Sequence, residues 1–345
     1  MFKPNFRYTN KIVNNLTQIA VARELILNSP FVPKWEVVLR REAIIRSAHS
    51  STAIEGNRLS LEQVGDLAFG REVMATHMDK QEVLNYLSVL ENIDKLADGE
   101  IITEKNLLNI HKMVTQETLE NPSDCSVYRN RYVVVGNRLT GEVIFRPPPN
   151  EDVPNLVKAL IEWINSSEAK ALDAVVEAGI AHYEFVRIHP FTDGNGRTAR
   201  ALATLILYLR GFDAKQFFCL DDYYDSDRPA YYKILQSVDQ KTLDLTNYLD
   251  YFVEGVKVSI LAVKEKVIRL SSERLRRTRK GQIALTGKQV RVVEFINQNS
   301  RITNRDVREM FKISNRAALD EITKLMKMKV IRKVGKGRSL RYELV

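Results

Sequence analysis

Apolar residues recur at spacings of three and four along eight stretches of this chain: 11–27, 36–50, 60–69, 80–98, 104–118, 153–166, 171–188 and 196–210. That period predicts helices. With only 15 glycines among 345 residues, the chain is short of the residue that tight strand-to-strand turns most need. The predicted fold class is mainly α, and the length predicts two or three domains rather than one core.

Two places break the helical pattern. Val133–Val135 and Val143–Phe145 are β-branched or aromatic runs separated by Gly136-Asn137 and Thr140-Gly141, which predicts a short β-hairpin within 128–149. Pro147–Pro149 cannot continue either element and ends it. Further on, 249–270 reads as helix, and Ser271–Gly281 is basic and poor in core residues, as a linker would be. Past it the pattern restarts. Thr286 with Gln289 is a candidate capping box for a helix to about Gln298, Thr303 a cap for one through Phe311, and Ser314 a cap for a third to about Met328. Val330–Val334 and Leu340–Leu344 flank Lys336-Gly337-Arg338. Three helices followed by a hairpin predict a winged helix-turn-helix over 282–345.

Net charge is +9, which favours anionic partners without choosing among them. The two cysteines, Cys125 and Cys219, form no CxxC pair, so no zinc knuckle or disulfide framework is indicated. The N-terminus has no apolar signal region, and no apolar run reaches the roughly 18 residues of a membrane span. A soluble cytoplasmic protein without a membrane partner is expected; nothing in the sequence sets its oligomeric state.

The densest chemistry lies in 171–211. A helix to about Ile188 must stop at His189-Pro190, because proline pushes the residue before it out of the α region. After the loop Phe191–Gly194, a second helix opens at Asn195-Gly196 with Asn195 as its expected cap. A helix start presents unpaired N–H groups and partial positive charge to phosphate, and glycines let the ligand approach. Arg197 and Arg200, one turn apart, can fork onto phosphate oxygens. Asp193 is a hard oxygen ligand beside them, suited to Mg²⁺, and His189 titrates in a range suited to a general base. Gly179, on the apolar face of the preceding helix, predicts close packing of a neighbouring helix.

The segment His189-Pro-Phe-Thr-Asp-Gly-Asn-Gly-Arg-Thr-Ala-Arg200 resembles the signature of the Fic family at every fixed position. The resemblance implies a Fic-type helical core with a short β-hairpin flap. It also implies an activity, protein adenylyltransfer, in which AMP moves from ATP to a Ser, Thr or Tyr hydroxyl of a target protein or of the chain itself. His189 would take the hydroxyl proton and Asp193 would hold Mg²⁺. Gly194, Asn195 and Gly196 would cradle the α- and β-phosphates, Arg197 would grip the β-phosphate and Arg200 the γ-phosphate. The intact Gly194-Asn195-Gly196 argues against the phosphorylating Doc branch. The target would dock as an added strand on the flap, 132–147. Tyr231, in Arg228-Pro-Ala-Tyr231-Tyr232, would stack on adenine.

Ser51-x-x-x-Glu55-Gly56 resembles the family's inhibitory-helix motif, in the class that carries it N-terminal to the core. Glu55 would form a bidentate ion pair with Arg200 and so displace the γ-phosphate. The same glutamate positions a water for AMP removal in some members. The expected organisation is 1–100 as a helical region with the inhibitory helix at about 44–57, 101–248 as the Fic core, 249–281 as helix and basic linker, and 282–345 as the winged helix. Asn315, Arg316, Lys324, Arg332, Lys333, Lys336, Arg338 and Arg341 give 286–345 a DNA-binding outline. The competing reading is a DNA-binding regulator whose Fic core senses nucleotide or removes AMP.

Overall fold

The computed structural model describes residues 2–29, 33–97, 99–136, 143–213, 215–278, 286–335 and 340–344. In the N-terminal region the helices are α1 (Asn10–Asn28), α2 (Pro33–Ile54), α3 (Leu61–Ala68) and α4 (His77–Glu91). Then come α5 (Glu104–Thr115), α6 (Val153–Ile164), α7 (Ser167–Lys170), α8 (Ala174–Ile188) and α9 (Asn195–Leu209). They are followed by α10 (Asp221–Ser226), α11 (Arg228–Gln236) and α12 (Thr246–Thr278). The C-terminal elements are α13 (Gly287–Asn299), α14 (Asn304–Phe311), α15 (Asn315–Lys327) and strands Ile331–Val334 and Arg341–Leu344. The fold is mainly α, as the periodicity predicts.

The chain divides into two compact units, Met1–Leu27 with Ala43–Lys264, and Asn28–Glu42 with Glu265–Val345. The first unit merges most of the expected N-terminal region with the expected core, because α4, α5 and α9 pack on one another. At its centre lies α8. The sequence suggests one apolar face, but Val175 through Phe185 are all buried, Glu177 and Glu184 included. Those two acids pair with Arg210 and Arg187, which neutralises charges that could not be buried alone. Gly179 brings α12 close: a Cβ there would stand 2.9 Å from Leu249 Cδ2 and 3.0 Å from Phe252 Cδ1.

The hairpin is shorter than expected. Val135–Gly136 pairs antiparallel with Val143–Phe145, with Val135 opposite Phe145 and an irregularity after it. Val133 and Val134 lie outside the ladder, and 137–142 lie outside the described residues. The expected end of the helix near 270 is corrected too. The helix α12 runs to Thr278, because Ser-Glu-Arg-Leu-Arg-Arg offers helix formers and no breaker.

In the second unit each expected cap is present. Thr286 accepts from the Gln289 N–H and Gln289 returns the bond, Thr303 caps α14, and Ser314 caps α15. Val293, Ile296, Val307, Ile322 and Leu325 close a small core with Tyr342. Among the described residues, no helix is long and apolar enough to cross a membrane.

Candidate active site

Everything the motif brings together depends on a tight corner between α8 and α9. His189 ends α8 in the left-handed region (φ 51°, ψ 59°), not in the extended region its proline favours. Arg129, itself buried, stitches this strained corner: its Nε donates to His189 O at 2.8 Å and its Nη2 to Pro148 O at 2.6 Å. The N–H of Arg129 also donates to Pro190 O. One side chain therefore ties the base of the hairpin to the corner.

Phe191 is fully buried and stacks on His111, ring centroids 3.6 Å apart. His111 Nδ1 accepts from the Ser126 N–H at 3.0 Å, which leaves Nε2 to donate to Asp193 O at 3.1 Å. Burial holds the His111 pKa down to about 4, so this clamp is uncharged at neutral pH. Gly194 takes φ 75°, and a Cβ there would fall 2.5 Å from Thr115 Cγ2. Glycine is required at that point by both backbone and space.

The cap of α9 is a correction. Gly194, not Asn195, holds the cap position. The Asn195 side chain instead closes the loop on itself, accepting from Phe191 N and donating to Phe191 O at 2.9 and 2.8 Å. It is therefore spent on loop geometry and is not offered to phosphate. The Gly194 N–H is engaged as well, by Asp193 Oδ1 at 2.7 Å. What remains for an anion are the first N–H groups of α9, from Asn195 and Gly196, which no intrahelical carbonyl reaches.

His189 Nδ1 faces Val186 O at 3.3 Å. A carbonyl only accepts, so Nδ1 carries the proton and Nε2 keeps a free lone pair. Burial first, and Arg129 nearby, push the His189 pKa down to about 4 despite Val186, Glu55 and Asp193. The ring is neutral at pH 7, the form a base needs.

Both motif arginines are buried and both meet acids. Arg197 Nη1 donates to Glu82 Oε1 of α4 at 2.9 Å. Its Nη2 stands 3.7 Å from Asp193 Oδ2, and its Nε has no hydrogen-bond acceptor among the described residues. Arg200 is held from α2: Nε donates to Ser51 Oγ, and Nη2 to both Ser51 O and Glu55 Oε1, each at 2.8 Å. The expected bidentate pair is thus corrected to a single carboxylate contact, with Ser51 taking Nε and sharing Nη2. Glu55 Oε1 also lies over Gly196, 2.1 Å from where a Cβ would be. Gly56 follows at φ 102°. Asn57 then anchors the chain, donating to Asp79 O and Glu82 Oε2 at 2.9 Å.

Tyr231 is corrected most plainly. It is buried, its ring stacks on Tyr224 at 4.4 Å and its hydroxyl meets His182 Nε2 at 3.2 Å. Neither face is open to a base. Its neighbour Tyr232 is half-buried and donates to Ile54 O, nearer the Glu55 turn. In the second unit, Lys324 pairs with Glu321, and Arg332 and Arg341 with Glu343, so part of the expected basic footprint is already neutralised. Lys336 and Arg338 lie outside the described residues.

Sequence reasoning missed Glu82, His111, Arg129 and Asp221. Only His111 carried a local signal, as a histidine on the same face of α5 as Leu107 and Val114.

Residues 101–207 match the Fic/DOC family, and the chain carries a Fic domain there. It is 31% identical over 209 residues to "Protein adenylyltransferase Fic" of Nematostella vectensis, covering 56% of this chain and 45% of that one. To the protein of the same name from Aedes aegypti it is 29% identical over 224 residues, covering 59% and 42%. The chain thus spans under half the length of these curated relatives. A Fic family protein from Desulfovibrio desulfuricans shares the fold at TM-score 0.65 and 24% identity, over 100% of this chain and 98% of that one. A Fic domain containing signaling protein from Bacteroides thetaiotaomicron does so at 0.60 and 23%, over 76% and 98%.

Proposed function

We propose that this chain is a protein adenylyltransferase that moves AMP from ATP to a protein hydroxyl, and that Glu55 holds it in check. The observation that carries the reading is the convergence, at one helix start, of a neutral histidine, uncapped N–H groups and two buried arginines.

In the transfer, the target oxygen forms a bond to the α-phosphorus as the bond from that phosphorus to the β-bridging oxygen breaks. Pyrophosphate leaves, and the hydroxyl proton passes to His189 Nε2. The start of α9 addresses the α- and β-phosphates, and Arg200 the γ-phosphate. Most of the rate gain in such chemistry comes from positioning and fixed charge. Asp193, half exposed beside the phosphate site, fits Mg²⁺, an ion held by one or two carboxylates together with phosphate oxygens. That ion would supply charge neutralisation on the phosphates. The target segment lies along the hairpin whose base Arg129 ties to the His189 corner.

Ser51 and Glu55 hold Arg200 Nη2, and Ser51 holds its Nε, so ATP meets an arginine whose fork is already restrained. The 286–345 unit is a winged helix appended to this enzyme. The test is intact mass and peptide mapping after incubation with Mg-ATP. Glu55→Gly gains the mass of AMP on itself or an added protein target, and Glu55→Gly/His189→Ala gains none. Equal labelling with and without His189 removes the assigned base; no labelling by Glu55→Gly with any added target removes the transferase reading.

A further inference from the structure

Arg200 has a second acid beside it that no step above uses. Asp221 opens α10, is buried, and places Oδ1 3.4 Å from Arg200 Nε. Among the described residues Oδ1 accepts no hydrogen bond, which is costly for a buried carboxylate oxygen. Burial pushes the Asp221 pKa up to about 6, while Arg200 and the hydroxyls of Ser47 and Ser51 pull it back toward the charged form. Ser51 Oγ thus sits between the two groups, accepting from the nitrogen that Asp221 also faces.

The neighbouring carboxylate has the opposite arrangement. Asp222 is fully engaged by α2, accepting from Ser50 Oγ at 2.7 Å and from Arg46 Nε at 2.5 Å. Asp222 therefore fastens α2, while Asp221 faces the arginine that α2 restrains.

We propose that Asp221 is the permanent partner of Arg200, taking over Nε when Ser51 and Glu55 withdraw and holding the guanidinium where the γ-phosphate meets it. A buried guanidinium stripped of both α2 contacts would otherwise be left with an uncompensated charge and free to swing. With Nε on Asp221, the two terminal nitrogens stay aimed at phosphate, the forked geometry that arginine uses best. Asp221 is a positioning residue, since it touches no substrate atom.

This rests on Arg200 addressing the γ-phosphate, and ADP, which lacks that group, is the control. In the Glu55→Gly background with Mg²⁺, ATP and ADP binding are measured by calorimetry for Asp221→Asn and, separately, Arg200→Ala. The expected result is ATP affinity about tenfold weaker in Asp221→Asn with ADP affinity changed less than about twofold. Arg200→Ala shows the same selectivity with a larger loss. ATP binding that is unchanged or tighter in Asp221→Asn, or an equal fall for ATP and ADP, overturns the proposal while Arg200→Ala remains selective. If Arg200→Ala is itself unselective, the γ-phosphate reading falls and takes this proposal with it. Asp221→Ser, smaller and still able to accept, substitutes with the same expected ratios if Asp221→Asn does not fold.

Discussion

Arg197 and Arg200 lie one turn apart on the same helix, equally buried, and each meets a glutamate from the N-terminal helices; yet the two pairs are built differently. Glu82 sits within α4, is 15% exposed, and has both oxygens engaged, one by Arg197 and one by Asn57. Glu55 stands just past the end of α2, is 32% exposed, and makes one ion pair before a glycine at φ 102°. The first acid is part of the packing. The second is set on a short turn, above a glycine that leaves room for it, and its arginine keeps Asp221 as another acid neighbour. A buried pair that breaks at a cost is structure; one that breaks cheaply can be a switch.

The largest effect expected from this contrast is on activity. If Arg200 is competent in about 1% of wild-type molecules and in nearly all after Glu55→Gly, AMP labelling rises about a hundredfold. Initial rates with labelled ATP measure it. A rise below about threefold breaks the contrast, because Glu55 would then be no more a restraint than Glu82.

Glu82→Gln is expected to do the reverse. It removes the charge opposite buried Arg197 and destabilises the fold by about 2 kcal/mol, less than a fully buried pair because glutamine still hydrogen-bonds and the site is partly wet. Denaturant melts read the loss, against less than about 1 kcal/mol for Glu55→Gly. Labelling in the Glu55 background stays at the wild-type level. Activation by Glu82→Gln would make the two acids alike.

A double-mutant cycle sharpens the geometry of the removable acid. The Cβ of Gly196→Ala would fall 2.1 Å from Glu55 Oε1. The substitution alone is expected to cost about 1 kcal/mol, and most of that cost disappears when Glu55 is already glycine. Additive costs would mean that Glu55 does not rest on Gly196.

Much of this was readable in advance, and the failures share one cause. Helix positions followed from apolar spacing, and the caps Thr286, Thr303 and Ser314 from local hydrogen-bond chemistry that needs only four residues. The corner itself was visible because proline, glycine and asparagine act on their immediate neighbours. Its supports were not. His111, Arg129, Glu82 and Asp221 reach it across long stretches of sequence, and nothing local marks a glutamate on α4 as the partner of an arginine on α9. Asn195 and Tyr231 went astray for the complementary reason. Each is read by what its side chain can do, but the local loop takes the Asn195 side chain at Phe191, and packing across the fold takes Tyr231 with Tyr224 and His182.

The smallest effect is the most exacting. Burial raises the Asp221 pKa to about 6, but Asp221 acts through Arg200 on nucleotide binding, so in the Glu55→Gly variant at saturating ATP the acid limb of the rate reports His189. Its pKa is lowered to about 4, chiefly by burial, so the neutral form that accepts the hydroxyl proton dominates above about pH 5. The sign is definite: protonation removes the base, so the rate falls only as pH drops through the lowered value. Labelling should change by less than about a fifth between pH 6 and pH 8, where a histidine of ordinary pKa near 6.5 would lose roughly three-quarters of its neutral form at the acid end. A fall of that size centred near pH 6.5, with ATP still saturating and retained when Asp221→Asn is added, would show that the His189 corner opens to water when Glu55 leaves. The release of Arg200 would then not be a local event.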